Sequence, residues 1–354
     1  HVYRIGLAQR YGRMMQVIAG VHFNFSMGAD FWPVYQAQEG DRGSLREFID
    51  AGYFGMIRNL QRFAWLPMYL FGASPSGCRN FFRDQGTDLE EYDATTLYAP
   101  CSTSLRMSNR GYQNTRETKQ GLHVSYDSLR RYVASLAGAT ETPCPEYAAL
   151  GIEVAGHYRQ LNANILQLEN EYYATVRPKQ PTEGLEKPSQ ALLHRGVRYV
   201  ELRSLDLNPF LPLGVDAPQL RFLEAFLIFC LFEASPPLHA EERGEIDYNQ
   251  QTVCTRGRCP QLVLQREGQS VALRAWAGEV LERLEPFCEA LDHGRTQALY
   301  GEALSAQRAK LWDVRLTPSA QVLAAMRAHD EGHNAFVRRI SKQHEAYFRE
   351  QVLS

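Results

Sequence analysis

Apolar residues that recur every three or four positions predict helices along much of the chain. The first such segment covers 44–66, with Ser44 as its N-cap and Pro67 as the residue that ends or kinks it. A second predicted helix covers 125–137. The C-terminal part is mainly helical, with predicted helices over 218–233, 270–292, 296–312 and 318–350. The last of these is highly charged and is expected to extend from the body of the protein.

Other segments alternate apolar and polar residues, which is typical of strands. They cover 16–26, 159–169 and 198–206. In the first of them Gln16, His22 and Asn24 fall on the polar face, because successive strand side chains point to opposite sides. Strands among long helices, without a regular strand–helix alternation, predict an α+β protein with an antiparallel sheet.

The remaining segments have the composition of loops. Residues 74–120 are rich in Gly, Ser, Asn and Thr and predict long loops, which are often functional. Residues 180–190 predict an exposed connection. Residues 236–262 are polar, contain a Pro-Pro pair and two cysteines, and predict an irregular insertion.

Composition narrows the class of protein. The 354 residues include 38 Lys and Arg against 40 Asp and Glu, a formal charge of −2, and 44% are apolar. Such a chain is globular rather than disordered, is not a general nucleic-acid binder, and has no apolar run long enough to cross a membrane. Seven scattered cysteines favour a reducing compartment. Cys254 and Cys259 have no second close pair, so an incidental loop pair is the preferred interpretation over a zinc site.

The strand 198–206 contains the most informative polar residues. Glu201 and Arg203 are two positions apart and share a face, so the carboxylate could hold a hard divalent cation and the guanidinium could bind a phosphate. The alternative is a salt bridge on a solvated sheet face. His22 is a candidate cation ligand only if Glu201 lies near it in space.

Three further groups of residues allow both a functional and a structural interpretation. Arg106, followed by Gly-Tyr at 111–112, could bind an amino-acid carboxylate or be a surface arginine in a polar loop. Glu169 and Glu171 could border a pocket or simply end a strand.

The third of these groups is a pair of histidines. His329 and His333 have helical metal-ligand spacing but lack the glutamate of a metalloprotease motif, so a solvated helix face is favoured. The chain has neither a phosphate-binding loop motif nor a dinucleotide fingerprint. Any ATP must therefore be held mainly by metal ions and side chains.

Several ordered blocks of sequence, over about residues 4–230, resemble those of proteobacterial-type glutamate–cysteine ligase, also called γ-glutamylcysteine synthetase. The blocks are Arg10-Tyr11-Gly12, Gly20-Val21-His22-Phe23-Asn24-Phe25-Ser26, Ala51-Gly52-Tyr53-Phe54, Tyr69-Leu70-Phe71-Gly72-Ala73-Ser74-Pro75, Thr103-Ser104-Leu105-Arg106, Gln167-Leu168-Glu169-Asn170-Glu171, Arg177-Pro178-Lys179 and Glu201-Leu202-Arg203-Ser204-Leu205-Asp206-Leu207-Asn208-Pro209-Phe210. The resemblance weakens toward the C-terminal helices. It implies a fold similar to glutamine synthetase, a funnel of antiparallel strands surrounded by helices.

The resemblance also implies a reaction. ATP phosphorylates the γ-carboxylate of L-glutamate, and the amine of L-cysteine then displaces phosphate, which is the first step of glutathione synthesis. Mg²⁺ or Mn²⁺ would offset the charge of the phosphates and act as a Lewis acid. L-glutamate, L-cysteine and ATP are the expected partners, with glutathione as a feedback ligand, and a cytoplasmic monomer is expected.

The resemblance assigns roles to individual residues. His22 and Glu201 match metal ligands, and Arg203 matches a phosphate-contacting arginine, so Glu201 and Arg203 are expected to be catalytic. The expected substrate-binding positions are Gln16 and Arg106 in the amino-acid pocket and Tyr112 and Tyr173 at the cysteine subsite.

The family pattern includes an N-terminal strand, with further acidic metal ligands, that does not precede His1. The expectation is therefore that residues 1–354 form one catalytic domain lacking its N-terminal strands, with 218–354 as the mainly helical part of that domain. Such a chain should be inactive alone and have an unpaired sheet edge. The alternatives are a related ligase using another amine, a non-catalytic binding fragment of the same fold, and a helical interaction protein.

Overall fold

The computed structural model describes residues 1–82, 88–111 and 123–351. Helices make up about half of this part of the chain. They are α1 (Val2–Tyr11), α2 (Phe31–Gln38), α3 (Leu45–Arg62), α4 (Trp65–Phe71), α5 (Leu129–Glu141), α6 (Pro145–Leu150), α7 (Pro188–Arg195), α8 (Ala217–Phe232), α9 (Ala240–Arg256), α10 (Leu273–Asp292), α11 (Leu299–Trp312), α12 (Pro318–Ala328) and α13 (His333–Glu350).

Short antiparallel strands accompany the helices. They are β1 (Val21–Phe25), β2 (Ser76–Cys78), β3 (Glu90–Asp93), β4 (Thr96–Tyr98), β5 (Glu153–Val154), β6 (His157–Tyr158), β7 (Val176–Lys179), β8 (Tyr199–Leu205), β9 (Val263–Arg266) and β10 (Gln269–Ala272). The mixture of helices and small antiparallel sheets confirms the α+β prediction.

Of the predicted strands, 198–206 is confirmed as β8, whereas the other two need correction. Only Val21–Phe25 of the segment 16–26 is a strand, because Arg13–Val17 is a 3₁₀ turn. The prediction for 159–169 is wrong. Its Asn and Gln side chains bond backbone carbonyls and so compete with strand pairing; for example Asn164 Nδ2 donates to Thr140 O at 2.6 Å.

The sheet that matters for the site has the order β1–β8–β7, with β8 in the centre and antiparallel to both neighbours. Within the described residues, β1 and β7 each pair on one side only. The register of β1 and β8 contains an irregularity, since Val21 pairs with Leu205 but Phe23 pairs with Leu202. Two positions of β1 thus span three of β8, which is the signature of a β-bulge in β8.

The main core forms between this sheet and the central helices. The segment 44–66 is divided into α3 and α4, and Pro67 lies in the first turn of α4, where its missing N–H costs no helical hydrogen bond. Helix α8 is apolar around most of its surface and is largely buried, with Phe63 of α3's C-cap against Phe229 at 5.6 Å between ring centroids. None of the described helices is both long and apolar enough to span a bilayer.

Two predictions for the C-terminal part are wrong. Residues 236–262 are not irregular, because α9 occupies 240–256 and inserts Val253 and Cys254 into the core. Residues 318–350 are not one projecting helix, because the chain breaks between α12 and α13, where Asp330 has φ 49°. Phe336 and Ile340 of α13 are buried in a small second cluster with residues of α12.

Candidate functional site

The central strand β8 brings the main predicted residues together. Glu201 Oε1 lies 3.3 Å from His22 Nδ1 on β1, and Glu201 Oε2 lies 3.0 Å from Arg203 Nη1. The Glu201 side chain is 10% exposed, whereas that of His22 is 44% exposed. From the sequence, His22 was a candidate ligand only if Glu201 lay near it, and the structure places the two side chains in contact.

The register of β1 and β8 explains why His22 and Glu201 lie in contact. Asn24 is the direct partner of Glu201 across the β1–β8 pair, so their side chains share a face, and His22 follows on that face of β1. The burial of β1 alternates as the sequence predicted, with His22 and Asn24 exposed and Phe25 buried. The site therefore occupies the polar face of the sheet, opposite the core.

The electrostatics of the site are dominated by positive charge around one carboxylate. Burial would raise the pKa of Glu201, but the charges of Lys179 and Arg203 outweigh it and lower that pKa below its usual value. Burial and the charge of Arg203 lower the pKa of His22, and the Glu201 carboxylate offsets this only in part. Near neutral pH the face thus presents an ionised carboxylate beside an uncharged imidazole.

Arg106 is not a surface arginine, which corrects the structural interpretation preferred from its local sequence. Its side chain is 11% exposed, with Nη2 donating to Arg203 O at 2.9 Å and Nη1 donating to Leu205 O at 3.2 Å. Gly20 lies so close that a Cβ there would be 2.1 Å from Arg106 Nη2. A residue in a loop far along the sequence thus becomes part of the β8 face.

Asp206 was missed by sequence reasoning as a functional residue. It is 3% exposed and accepts hydrogen bonds from Ala73 N at 2.8 Å and Ser74 Oγ at 2.7 Å. Ser104 Oγ donates to it at 3.0 Å, and Arg106 Nη1 lies 3.3 Å away. Asp206 lies directly after the β8 bulge and therefore links two loops to this strand, the loop of Ala73 and Ser74 and the loop of Ser104 and Arg106. Asp206 lies within the 201–210 block that resembles the family, which could have drawn attention to it. Its hydrogen-bond partners, however, come from segments that are distant in sequence.

Lys179 on β7 was quoted within a block but given no role. Its Nζ lies 3.5 Å from Glu201 Oε2, so two cations approach one oxygen of that carboxylate. The Nε atoms of Arg106 and Arg203 are buried and have no hydrogen-bond partner among the described residues. Each of these two arginines therefore keeps one N–H donor that no described residue accepts.

The other predicted pocket residues are placed less decisively. Gln16 lies on the 3₁₀ turn rather than the strand, is exposed, and donates from Nε2 to Arg4 O at 3.0 Å. Tyr173 is 8% exposed, and its hydroxyl donates to Met107 Sδ at 3.3 Å, next to Arg106 in sequence. Tyr112 lies outside the described residues.

Glu171 and Glu169 have structural roles rather than a pocket role. Glu171 Oε1 lies 3.0 Å from Arg10 Nη1, and both side chains are completely buried. Glu169 accepts from the backbone N of Ser189 at 3.0 Å and so holds the first turn of α7. The strand-end interpretation was closer, although this part of the chain forms a 3₁₀ turn.

The interpretation of His329 and His333 as one solvated helix face is wrong. The helix break separates them, and His333 begins α13 with Nδ1 3.1 Å from Ser76 Oγ. Burial lowers the pKa of His333. The spacing of four residues therefore does not bring the two imidazoles to one helical face.

The described residues supply few ligands for a metal ion. They include no group of three or more His, Cys, Asp or Glu side chains arranged to hold one. His22 and Glu201 offer one nitrogen and one carboxylate, so they could hold at most a single divalent cation that takes its other ligands from phosphate oxygens and water. They do not suit a cluster of several cations held by protein alone.

Comparisons with known proteins identify related chains. The family model described as glutamate-cysteine ligase matches residues 1–253. A glutamate–cysteine ligase of Pseudomonas putida (strain W619) is 50% identical over 353 residues, covering 100% of this chain and 67% of that protein. One from Pseudomonas aeruginosa (strain UCBPP-PA14) is 49% identical over 354 residues, also with 67% of its length covered. The chain thus spans about two thirds of these curated relatives.

Solved structures show the same similarity in three dimensions. The crystal structure of a Francisella tularensis glutamate–cysteine ligase in complex with AMP has a TM-score of 0.90 and 34% identity, covering 100% of this chain and 68% of that one. A bifunctional glutathione synthetase from Pasteurella multocida has a TM-score of 0.71 at 21% identity, covering 96% of this chain and 38% of that one. The second similarity is one of fold.

Proposed function

The chain belongs to the glutamate–cysteine ligase family, and on this premise we propose that the polar face of β1, β8 and β7 is its reaction site. The family's ATP-dependent reaction joins the γ-carboxylate of L-glutamate to the amine of L-cysteine. A carboxylate is a poor acylating agent, so its conversion to an acyl phosphate supplies a leaving group. The observation that supports this site is the contact of His22 and Arg203 with Glu201 beside unused arginine donors.

Arg203 is the proposed phosphate-binding and catalytic arginine. Its Nη1 is held by Glu201, while its buried Nε has no partner among the described residues and can donate to a phosphate oxygen. Lys179 adds a second positive charge on the same side. Fixed charges of this kind stabilise the negative charge that develops during phosphoryl transfer, and they need no reorganisation.

His22 and Glu201 are the proposed ligands of Mg²⁺ or Mn²⁺, and Glu201 is also the proposed catalytic carboxylate. The cation would supply Lewis-acid chemistry and charge neutralisation to the bound phosphates. Because the pKa values of both side chains are lowered, the imidazole is uncharged and the carboxylate is ionised near neutral pH, so both can bind a cation.

The amino acids are proposed to bind beside this face. Arg106, with its buried and unpartnered Nε, suits a carboxylate of glutamate. Tyr173 and Tyr112 are proposed for the cysteine subsite, and Gln16 for the amino-acid pocket, on the resemblance of their positions to the family pattern. ATP is the proposed nucleotide, which is supported by the AMP in the Francisella complex.

We propose that residues 1–354 form one catalytic domain, with 218–354 as its helical part, and that β1–β8–β7 belongs to a glutamine synthetase-like funnel. The single-sided pairing of β1 and β7 within the described residues is compatible with further strands. A cytoplasmic monomer with feedback binding of glutathione remains our prediction. Low activity of the 354-residue chain is also predicted, since the described residues offer only His22 and Glu201 as proposed ligands of a cation.

One alternative is favoured by a specific observation. The small number of described side chains that could bind a cation would also suit a non-catalytic chain that binds nucleotide without hydrolysing it. A related ligase that uses another amine is the other alternative. Both differ from the proposed function in what the chain releases when nucleotide and substrates are supplied.

The test measures ADP release with Mg²⁺, ATP and glutamate, with cysteine, with 2-aminobutyrate or with neither amine. It is run on this chain and on a version extended to the length of its relatives, and AMP binding is measured by calorimetry. Cysteine-dependent release supports the proposal, and preference for another amine contradicts the choice of acceptor. AMP binding without release from either chain would favour the non-catalytic alternative.

A pair of variants tests the site itself. In the extended version, Glu201→Gln should lower turnover at least about 100-fold, since it removes a charge that orients Arg203 and the cation. Glu285→Gln is the matched control, because it breaks another Glu–Arg pair, with Arg308 at 2.9 Å, on exposed helices. Equal activity of the two variants would show that the reaction takes place elsewhere.

A further inference from the structure

The β8 bulge lies at the residue that carries the proposed phosphate-binding group. Regular pairing with β1 stops after Leu202 and resumes at Leu205, so the bulge lies at 203–204. Leu202 and Leu205 both belong to the main core although they are three positions apart, because the extra residue reverses the alternation of the strand. A bulge disrupts the ladder locally, so the backbone groups around Arg203 need partners from outside the strand pair.

Arg106 supplies such partners from a distant loop. Its Nη2 donates to Arg203 O at 2.9 Å, and its Nη1 donates to Leu205 O at 3.2 Å. Thr175 O accepts from Arg203 N at 2.7 Å, so both backbone polar groups of Arg203 are held. Two of the three guanidinium nitrogens of Arg106 are thus committed to the strand, and only its Nε is left without a partner among the described residues.

Asp206 holds Arg106 in this position by two routes. The direct route is the approach of its carboxylate to Arg106 Nη1 at 3.3 Å. The carboxylate also accepts from Ser74 Oγ at 2.7 Å, and Ser74 Oγ in turn accepts from the backbone N of Arg106 at 3.2 Å. Because Asp206 is shielded from solvent, these hydrogen bonds are strong, and they fix both the side chain and the main chain of Arg106.

Gly20 leaves the space that the guanidinium fills. It directly precedes β1, and a Cβ added there would overlap Arg106 Nη2, the atom that donates to Arg203 O. The three atoms nearest to such a Cβ all belong to the Arg106 guanidinium. Gly20 does not have a positive φ, so this contact rather than the backbone conformation requires glycine. A side chain at position 20 would therefore displace a flexible side chain and not the main chain.

We propose that Asp206 and Gly20 are positioning residues that act through Arg106 on Arg203. Asp206 fixes the Arg106 guanidinium, the guanidinium fixes the β8 bulge, and the bulge sets where the Arg203 side chain lies on the polar face. Gly20 keeps open the space for the guanidinium. This inference rests on the proposed function, in which Arg203 binds the transferred phosphate, and it gives Arg106 a second task besides its proposed contact with glutamate.

The consequence is expected in turnover, because the position of Arg203 decides what it can stabilise. A fixed donor stabilises developing charge only where that charge appears, and a displacement of about 1 Å can lower turnover about 100-fold. The Arg203 side chain is anchored through Nη1, which donates to Glu201 Oε2 at 3.0 Å, and its backbone is the other anchor. Release of the bulge would therefore move Nε, the donor proposed for the phosphate.

The kinetic test uses the version extended to the length of the relatives and measures cysteine-dependent ADP release. Gly20→Ala should lower kcat about 10–100-fold, because Arg203 acts on the transferred phosphate, whereas a lost contact with glutamate alone would raise only the KM for glutamate. Gly244→Ala is the matched control, since a Cβ there meets nothing within 4 Å, and it should leave kcat unchanged. An unchanged kcat in Gly20→Ala, with or without a raised KM, overturns the proposal.

Further variants show whether the effect runs through Arg106. Arg106→Ala makes room for a methyl group at position 20, so adding Gly20→Ala to it should lower kcat less than about twofold further. An equal loss in both backgrounds would contradict the proposal. Asp206→Asn keeps the shape of the side chain but removes its charge, and it should also lower kcat about 10-fold or more. Full turnover of this variant would refute the role of Asp206.

Crystal structures of the wild-type chain and of Gly20→Ala decide the question without any turnover. In the variant, Arg106 Nη2 should leave Arg203 O, and the Arg203 guanidinium should shift by about 1 Å or more relative to Glu201. An Arg203 side chain in the same place in both structures rules the proposal out. Absence of cysteine-dependent ADP release from the extended wild type would contradict the proposed function, and the comparison of the two structures would still decide the positioning role.

Discussion

Two Arg–Glu pairs of this protein have the same chemistry but different surroundings. In the pair of Arg10 and Glu171 both side chains are 0% exposed, and in the pair of Arg203 and Glu201 they are 15% and 10% exposed. Each pair has an N–O distance of 3.0 Å. The distance alone therefore does not separate a structural pair from a functional one.

The difference lies in the use of the remaining hydrogen-bonding atoms. All three guanidinium nitrogens of Arg10 donate, to Gln160 Oε1 at 3.0 and 2.9 Å and to several other acceptors, including Glu171. Glu171 Oε2 in turn accepts from Gln167 N at 2.6 Å. Arg203 Nε has no partner among the described residues, and Glu201 Oε1 faces only a partly exposed imidazole.

This contrast has a physical basis. A buried charge is tolerated only when its hydrogen bonds are complete, so the Arg10 pair fixes α1 against the 160–171 segment and leaves nothing for a ligand. An incomplete set next to solvent retains donors and acceptors that a charged substrate can complete. Unused hydrogen-bonding capacity is therefore the better indicator of a binding function.

The largest effect should follow from Arg10→Met. Loss of the guanidinium leaves Glu171 buried without a countercharge, which should lower the free energy of unfolding by about 3–5 kcal/mol. Urea unfolding measures the loss. The double variant Arg10→Met with Glu171→Gln should regain part of it, and a double variant as unstable as the sum of both single ones would contradict the pairing argument.

Arg203→Met should separate function from stability. In the version extended to the length of its relatives we expect a loss of turnover of about 100-fold or more, because the proposed phosphate-binding donors are removed. The loss of unfolding free energy should be less than half of that in Arg10→Met, because Lys179 still accompanies Glu201 and solvent reaches the face. Turnover and urea unfolding are measured on the same preparations, and the reverse order of stability losses would refute the comparison.

Lys310 is a buried charge that makes no salt bridge with a carboxylate of the described residues, so the free energy of unfolding should depend on pH through its titration. Its Nζ donates to Leu70 O at 2.8 Å and lies 4.7 Å from the ring centroid of Phe71. Burial lowers the pKa of Lys310 to about 8, against 10.5 for an ordinary lysine, and the Asp216 charge only partly opposes this.

The sign of that pH dependence follows from proton counting. Between pH 8 and 10.5 the unfolded lysine is protonated and the folded one is largely neutral, so its contribution to stability rises with pH. Below pH 8 both states are protonated and the contribution is constant. Urea unfolding from pH 7 to 9.5 should show this rise in the wild-type chain relative to Lys310→Met, and parallel curves for the two would disprove it.

The smallest effect is expected for Glu285→Gln. The Glu285 and Arg308 side chains are 51% and 32% exposed, and solvent screening leaves exposed pairs of this kind with little effect on stability. Thermal unfolding should therefore change little, and less so in high salt. A loss of stability comparable to that of Arg10→Met would mean that the exposure of the three Arg–Glu pairs does not predict how much each contributes to stability.

The sequence by itself determined the strand β8, the alternating faces of β1 and most helices, because these depend on the local periodicity of apolar residues. It also placed Glu201 and Arg203 on one strand face and His22 on the polar face of another strand, whereas their proposed roles came from the resemblance to the family. Local pattern failed where local interactions compete, as in 159–169, and where a polar segment forms a helix whose few buried residues suffice to anchor it, as in α9.

Only the tertiary structure decided which partners these residues have. The contact of His22 with Glu201 depends on strand pairing over about 180 positions, and the β8 bulge and the central place of Asp206 depend on the same register. Such partners are set by packing between distant segments, and sequence periodicity contains no record of that packing.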